Sequence, residues 1–255
     1  MAGEQLQTHC MEIERCNQRG GRMLSIVDLL EAGTITPDLA AYAMAAIGRG
    51  ASFLVGALPG GAGKTTVMGA LLNFVPGDVV LRPADGMRAI ERGLGAERPR
   101  CCYICHEIGS GPYYAYLWGG ELRAYFELPT AGHSLATNLH ADTYEQARDQ
   151  ICGDNGVPAA ALCRMGLMFF LSVRRSGLGA SRRIVTAWES DGRAPHLMVF
   201  SAEASDGRVA ASALVSEADV SEAASAIDRL AASGARTIEQ VRRAVCGLRG
   251  EEGTP

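Results

Sequence analysis

Gly60-Gly61-Ala62-Gly63-Lys64-Thr65-Thr66 is the segment whose residue types and order most directly specify chemistry. Glycines let consecutive backbone N–H groups turn toward one anion. The lysine neutralises β and γ phosphate charge, and the hydroxyl of the threonine after it can ligate Mg²⁺. The expected chemistry is a polyphosphate cradle: Gly60, Gly61, Ala62, Gly63, Lys64, Thr65 and Thr66 hold ATP, and Thr65 is a metal ligand. One position departs from the usual G-x-x-x-x-G-K-T spacing. Leu58 stands where the first glycine is expected, and Gly56, two residues earlier, does not replace it. The loop is therefore expected to form with an altered approach. The bland alternative is a glycine turn with an exposed lysine.

A second group, Cys101, Cys102, Cys105 and His106, contains a C-x-x-C. No second ligand pair at zinc-like spacing follows it. Cysteine also behaves as a small buried hydrophobe, and this group falls in a strand-like run. Buried strand cysteines and a metal site are the two readings.

A phosphate loop works only if a strand delivers it and a helix leaves it. Phe53-Leu54-Val55-Gly56 is a short apolar run fit for a buried parallel strand, and Thr65 to Asn73 has a helical pattern. Upstream, Ser25 with Asp28 marks a short helix through Leu30, and Thr36-Pro37 opens another that runs to about Gly48. Residues 1–22 read as a loose arm or short helix. Downstream, Val79–Leu81, Cys101–Cys105 and Leu135–Leu139 read as strands. Tyr114–Leu128 and Thr143–Ile151 read as helices. Leu167–Val173 and Arg183–Trp188 read as paired strands joined at Ser176-Gly177-Leu178-Gly179. Such alternation predicts an α/β fold with a mostly parallel sheet flanked by helices. After Pro195 the pattern predicts a hairpin, His196–Glu203 with Val209–Val215 around Ser205-Asp206-Gly207. Two helices follow, one with its apolar face on Val220, Ala224, Ile227 and Leu230, the next capped by Thr237 with Gln240. The expected organisation is an arm over 1–22, a main domain over 23–195, and a small appendage over 196–255.

Composition narrows the function classes. The 255 residues are 47% hydrophobic and 20% charged, with a formal net charge of −4. A binder of phosphate backbone usually carries a basic excess or stripe, so nucleic acid is not the expected partner. No apolar run approaches the roughly 18 to 20 residues that cross a bilayer, and the first residues lack an apolar signal core. A cytoplasmic location is expected, with room for partners at the inner face of a membrane.

Taken in order, several segments resemble the type II/type IV secretion and type IV pilus ATPase family. Leu24 to Leu30 with Gly33-Thr34-Ile35-Thr36-Pro37 looks like its lead-in, and Pro59 to Thr66 like its phosphate loop. Gly132-His133-Ser134-Leu135-Ala136-Thr137-Asn138-Leu139-His140-Ala141 resembles its histidine box. Ser181-Arg182-Arg183-Ile184-Val185-Thr186 resembles the strand closing its core, and the last two helices resemble its C-terminal piece. The resemblance covers roughly residues 23–248. It implies a RecA-like core and a Mg·ATP-dependent motor that works as a homo-oligomeric, hexameric ring on membrane-embedded secretion or pilus platform proteins. It makes Lys64, His133 and His140 catalytic, the histidines sensing the γ-phosphate. It also requires an acid at the end of an apolar strand, to hold Mg²⁺ through water and polarise the attacking water. Glu107 ends the run Pro99–Ile108 and leaves room for a helix before His133. Glu121, in Gly120-Glu121-Leu122-Arg123, matches the family's tetrapeptide more closely by letter but leaves little room. Glu107 is the preferred catalytic acid and metal ligand. For a further acidic box only Asp85 is on offer.

Family members generally carry a substantial N-terminal domain over the nucleotide, whereas about 22 residues precede the lead-in here. The expectation is a minimal member with weak or partner-dependent turnover, or a site completed by another protein. The aromatic stretch Tyr113, Tyr114, Tyr116, Trp118, Tyr125 and Phe126 is then either a docking surface or core packing. Arg182 and Arg183 either reach a neighbouring subunit's phosphates or form a salt-bridged strand pair. The alternative function is a nucleotide-binding regulatory or adaptor subunit with little hydrolysis. A small-molecule kinase is a third reading, disfavoured by the paired histidines and the absence of a lid-like arginine cluster.

Overall fold

The computed structural model describes residues 3–17, 20–95, 99–176, 179–204 and 207–248. Along the chain lie α1 (Gly3–Arg15), α2 (Ile26–Glu31), α3 (Pro37–Gly48), β1 (Phe53–Gly56), α4 (Lys64–Leu72), β2 (Val80–Pro83), α5 (Met87–Leu94), β3 (Cys101–Ile108) and β4 (Tyr116–Leu117). There follow α6 (Gly119–Tyr125), β5 (Ser134–Leu139), α7 (Tyr144–Arg148), α8 (Ala159–Leu162), β6 (Leu167–Ser176), β7 (Gly179–Glu189), β8 (Leu197–Ser201), α9 (Glu217–Ala232) and α10 (Ile238–Leu248). The local start signals act as their chemistry dictates. Ser25 and Asp28 cap α2 reciprocally, and the Thr36 hydroxyl accepts from Leu39 N ahead of Pro37.

The strands form one sheet in the order β2-β3-β5-β1-β6-β7-β8, with β4 paired to β3. The pairs among β1 to β6 are parallel, and β7 and β8 add antiparallel strands at one side. Helices cover both faces of the sheet's middle, so β1, β3 and β5 are buried along their whole length rather than on alternate residues. Phe53, Val55, Leu167 and Phe169 enter one core, with Leu39, Tyr42, Val67, Leu71, Leu230 and Val241 from the helices. Leu54, Met168 and Phe170 enter the other, with Ile90, Leu122, Tyr125, Ile151 and Leu162.

The same period of two divides the cysteines of β3. Cys102 enters the first core, and Cys101 and Cys105 enter the second. Burial pushes the Cys102 and Cys105 thiols up to about 12, so both are protonated and inert near neutral pH. Among the described residues no group of three or more His, Cys, Asp or Glu is placed to hold a metal. Only Cys10 and Cys152 are half-buried. A thiol-reactive disulfide reagent added to native protein at neutral pH is expected to label those two first. The other cysteines should react only on denaturation, and fast labelling of any of them would contradict this packing.

Three elements differ from expectation. The aromatic helix over Tyr114–Leu128 is not one element, because Tyr116 and Leu117 pair with Glu107 and Ile108 as a short parallel strand. Gly119, at φ 59°, then turns the chain into α6. The aromatic stretch is divided accordingly: Tyr125 and Phe126 are fully buried, while Tyr113 and Tyr114 are exposed. The expected hairpin after Pro195 is also not formed as a strand pair among the described residues: 209–215 carries no strand, although Ala210 N donates to the Val199 carbonyl of β8 at 2.7 Å. β8 pairs with β7 and extends the sheet, and Glu189 at the end of β7 holds 212–213. Its carboxylate accepts from Ser212 Oγ at 2.7 Å, Ala213 N at 2.6 Å and Tyr42 Oη at 2.5 Å. The Ser205-Asp206 turn and the 177–178 turn lie outside the described residues. Lastly, the helix from Thr143 to Ile151 is α7 followed by a wider π turn over Asp149–Asp154.

The first and last helices, α1 and α10, meet. α1 buries Leu6, His9 and Ile13 and packs against α10, β2 and α4. Arg242 of α10 is fully buried. Its Nη1 donates to the carbonyls of Asn73 (2.8 Å) and Val75, and its Nη2 to that of Pro76 (3.3 Å). Asn73 is the C-cap of α4, so a residue near the C-terminus closes the helix that leaves the glycine loop. No helix among the described residues is long and apolar enough to cross a membrane.

Candidate functional site

Strand register assembles the site. Ile108 pairs with Leu139, and Leu139 with Gly56, so β3, β5 and β1 end on one row. Parallel strands exit on the same side, and that side of an α/β sheet is where ligands bind. The row therefore sets Glu107 of β3, His140 after β5 and the segment after β1 beside one another. Close packing requires Gly56: a Cβ there would lie 2.7 Å from the Ala141 carbonyl and from the Phe170 ring.

The glycine loop leaves β1 and turns into α4 at Lys64. Gly63 is the N-cap at φ 93°, a left-handed backbone open to glycine at no steric cost. Ala62 is buried and Gly60 has open space where a side chain would stand. The loop thus keeps its later turns despite Leu58, and the reason lies on β5's far end. Leu58 N donates to Asp142 Oδ1 at 2.7 Å, and the Leu58 carbonyl lies 3.0 Å from His140 Nδ1. Two side chains tether the approach that a glycine would have eased. Asp142 was not among the residues expected from sequence. An acid two positions after His140 was the available sign, but nothing local says that this position faces Leu58.

Lys64 is buried, and its ammonium donates to the Ala57 carbonyl at 3.1 Å. It lies 3.2 Å from His140 Nδ1 and 3.6 Å from Glu107 Oε2. His140 Nε2 is 3.8 Å from the same carboxylate oxygen. Burial pushes the Glu107 carboxyl above the usual carboxylate range, against the pull of Lys64 and His140. Its Oε1 is buried without a hydrogen-bond partner among the described residues. A buried carboxylate oxygen so left is a donor atom suited to a hydrated divalent cation. Glu107 and the hydroxyl of Thr65, next to Lys64 in the first turn of α4, are oxygen donors of the type that Mg²⁺ takes.

Other expected residues lie elsewhere. His133 precedes β5, about 23 Å from His140 at strand rise. Its Nδ1 accepts from Cys101 N at 3.1 Å, and its Nε2 lies 2.9 Å from the Gly93 carbonyl. The structure therefore does not bring it to the loop; it joins β3 to the end of α5. His133→Phe is expected to cost about 1–3 kcal/mol in thermal unfolding by orphaning those two groups, with nucleotide affinity unchanged. Glu121 Oε1 accepts from Met87 N at 3.2 Å, at the start of α5, away from Lys64. Asp85 is exposed beyond β2. Arg182 touches the loop of its own chain: its Nε and Nη2 donate to the Gly61 carbonyl at 3.3 and 3.2 Å.

No protein-family model matches the chain, and no curated protein sequence matches it. Among solved structures, it is similar to the VirB11 ATPase of the Brucella suis type IV secretion system, determined with sulphate. Identity is 19% over 64% of this chain and 54% of that one, with a TM-score of 0.45. It is also similar to the ATPase DotB of Yersinia pseudotuberculosis, at 12% identity over 86% and 62% of the two chains and a TM-score of 0.45. For DotB of Legionella pneumophila the identity is 15%, over 82% and 59%, with a TM-score of 0.38. The chain spans between 54% and 62% of the length of these structures.

Proposed function

We propose that this chain binds Mg·ATP at the glycine loop and hydrolyses it, as a motor ATPase of the secretion and type IV pilus kind. The observation that carries the reading is the convergence of Lys64, Glu107 and His140 where β1, β3 and β5 end. A loop lysine at 3.6 Å from a buried carboxylate is a charge arrangement for holding phosphate on one side and water on the other.

In this reading the N–H groups of Gly60 to Thr66 and the start of α4 receive the phosphates. Lys64 exchanges part of its contact with Glu107 for β and γ phosphate oxygens. Glu107, freed on that side, holds the attacking water and takes its proton, a role that suits a carboxyl raised by burial. His140 stands at the same carboxylate and steadies the loop through Leu58. Mg²⁺, on Thr65 and on Glu107 through water, would neutralise charge developing on the phosphates. Positioning and charge stabilisation supply the catalysis, and no covalent intermediate is required. Assembly as a hexameric ring, action on membrane platform proteins and a place at the inner face of the membrane belong to the same proposal. They rest on the sequence resemblance alone.

The test is Mg²⁺-dependent release of phosphate from ATP by purified protein, beside Lys64→Ala. Turnover lost in the variant supports the proposal. Tight nucleotide binding with no turnover at any protein concentration would replace it with a regulatory nucleotide-binding subunit, and no binding at all would overturn both.

A further inference from the structure

The β6–β7 arm stands over the glycine loop. β1 ends at Gly56, opposite Phe170, whereas β6 continues from Leu171 to Ser176, about 20 Å further at strand rise. Arg182 of β7 pairs with Val173, about 10 Å beyond the end of β1 and thus level with the loop. From there its side chain lies across the cradle. Its Cδ would be 3.0 Å from a Cβ on Gly63, and its Nε and Nη2 both donate to the Gly61 carbonyl.

That resting contact is weak for so strong a donor. Arginine's planar fork matches phosphate or carboxylate oxygens in pairs. Here two of its N–H groups share one carbonyl, and Nη1 has only the Ala180 carbonyl at 3.4 Å. Among the described residues no carboxylate pairs with Arg182, although it is exposed. Arg183, next along the strand, points to the opposite face by the strand's period of two.

We infer that Arg182 is a ligand of the terminal phosphate carried by the same chain, and that it distinguishes nucleoside triphosphate from diphosphate. The inference rests on the polyphosphate reading of the loop. With the cradle empty the guanidinium rests on Gly61; when a triphosphate enters, it turns onto γ-phosphate oxygens beside the loop. A diphosphate ends short of it and leaves it on the carbonyl. The arm is continuous with the sheet through β6, so this cation is positioned by the core rather than by a neighbouring subunit.

The experiment is calorimetric titration of wild type, Arg182→Ala, Arg182→Lys and Arg183→Ala with Mg²⁺ and either ADP or an ATP analogue whose β–γ bridge resists hydrolysis. Arg182→Ala should bind the triphosphate about 10–100-fold more weakly, the loss expected for charged hydrogen bonds, and ADP within about twofold of wild type. Arg182→Lys should recover only part, and Arg183→Ala should match wild type for both. Equal weakening of ADP and the triphosphate would make Arg182 a mere tether of the loop, and unchanged triphosphate affinity would remove it from the site. Either result overturns the inference while the loop's function stands. Wild type that binds neither nucleotide would overturn the function and the inference together. Arg182 is exposed, so thermal unfolding of each variant should stay at the wild-type midpoint.

Discussion

Glu107→Gln should lower ATP hydrolysis by about 10²–10⁴-fold, the range lost when a positioned general base is removed, with nucleotide affinity held within a few fold. Glutamine keeps the shape of the side chain but has no carboxylate to take a proton. Glu107 is the acid that the register of β3 sets beside Lys64, whereas Glu121 accepts a backbone bond at the start of α5. Glu121→Gln should therefore keep nearly all activity, and a phosphate-release assay on the two variants decides between them. The reverse ranking would remove Glu107 from the chemistry. A pH profile adds an independent check. Burial raises the Glu107 carboxyl above its ordinary 4.5, so the basic form is lost as pH falls through that higher value. The acid limb of kcat should sit above the range of an exposed carboxylate and should vanish in Glu107→Gln.

Arg242→Ala should destabilise the protein by about 3–5 kcal/mol, as removing one side of a buried charged network does. Three carbonyls beyond the last turn of α4, those of Asn73, Val75 and Pro76, accept from this guanidinium, and no water reaches the fully buried side chain to replace it. Its neighbour His9 is also buried, and burial together with the Arg242 charge holds that imidazole well below its usual value, hence neutral. Arg242→Lys should rescue little, because an ammonium cannot reach three carbonyls with a planar fork. Urea unfolding at neutral pH checks the size of the loss. A change below about 1 kcal/mol would show that α10 closes α4 by apolar packing alone, through residues such as Val241 and Val245. Because α4 carries Lys64 at its other end, partial unfolding of α10 should also weaken nucleotide binding.

Much of this protein is written locally. The glycine loop, the caps at Ser25 and Thr36, the apolar run Phe53–Gly56 and the alternation of strand and helix all depend on neighbours within a few residues. Steric and hydrogen-bonding preferences at that range suffice to specify strands, helices and a glycine turn that enters α4. Local reading failed where a distant partner outbid propensity. Tyr116 and Leu117 pair with β3 instead of joining a helix, and Glu189 accepts from Ser212 Oγ and Ala213 N where a second hairpin strand was expected. The site itself was decided by tertiary structure. Lys64, Glu107 and His140 meet only because β5 lies between β1 and β3 and because Gly56, Leu139 and Ile108 share a row. Strand order and register follow from which apolar faces are buried against which helices, a choice made by the whole chain at once. The histidine pair shows the difference most directly. Its spacing suggested one joint role, yet His133 and His140 stand at opposite ends of a strand, so one fixes β3 to α5 and the other stands at the loop lysine.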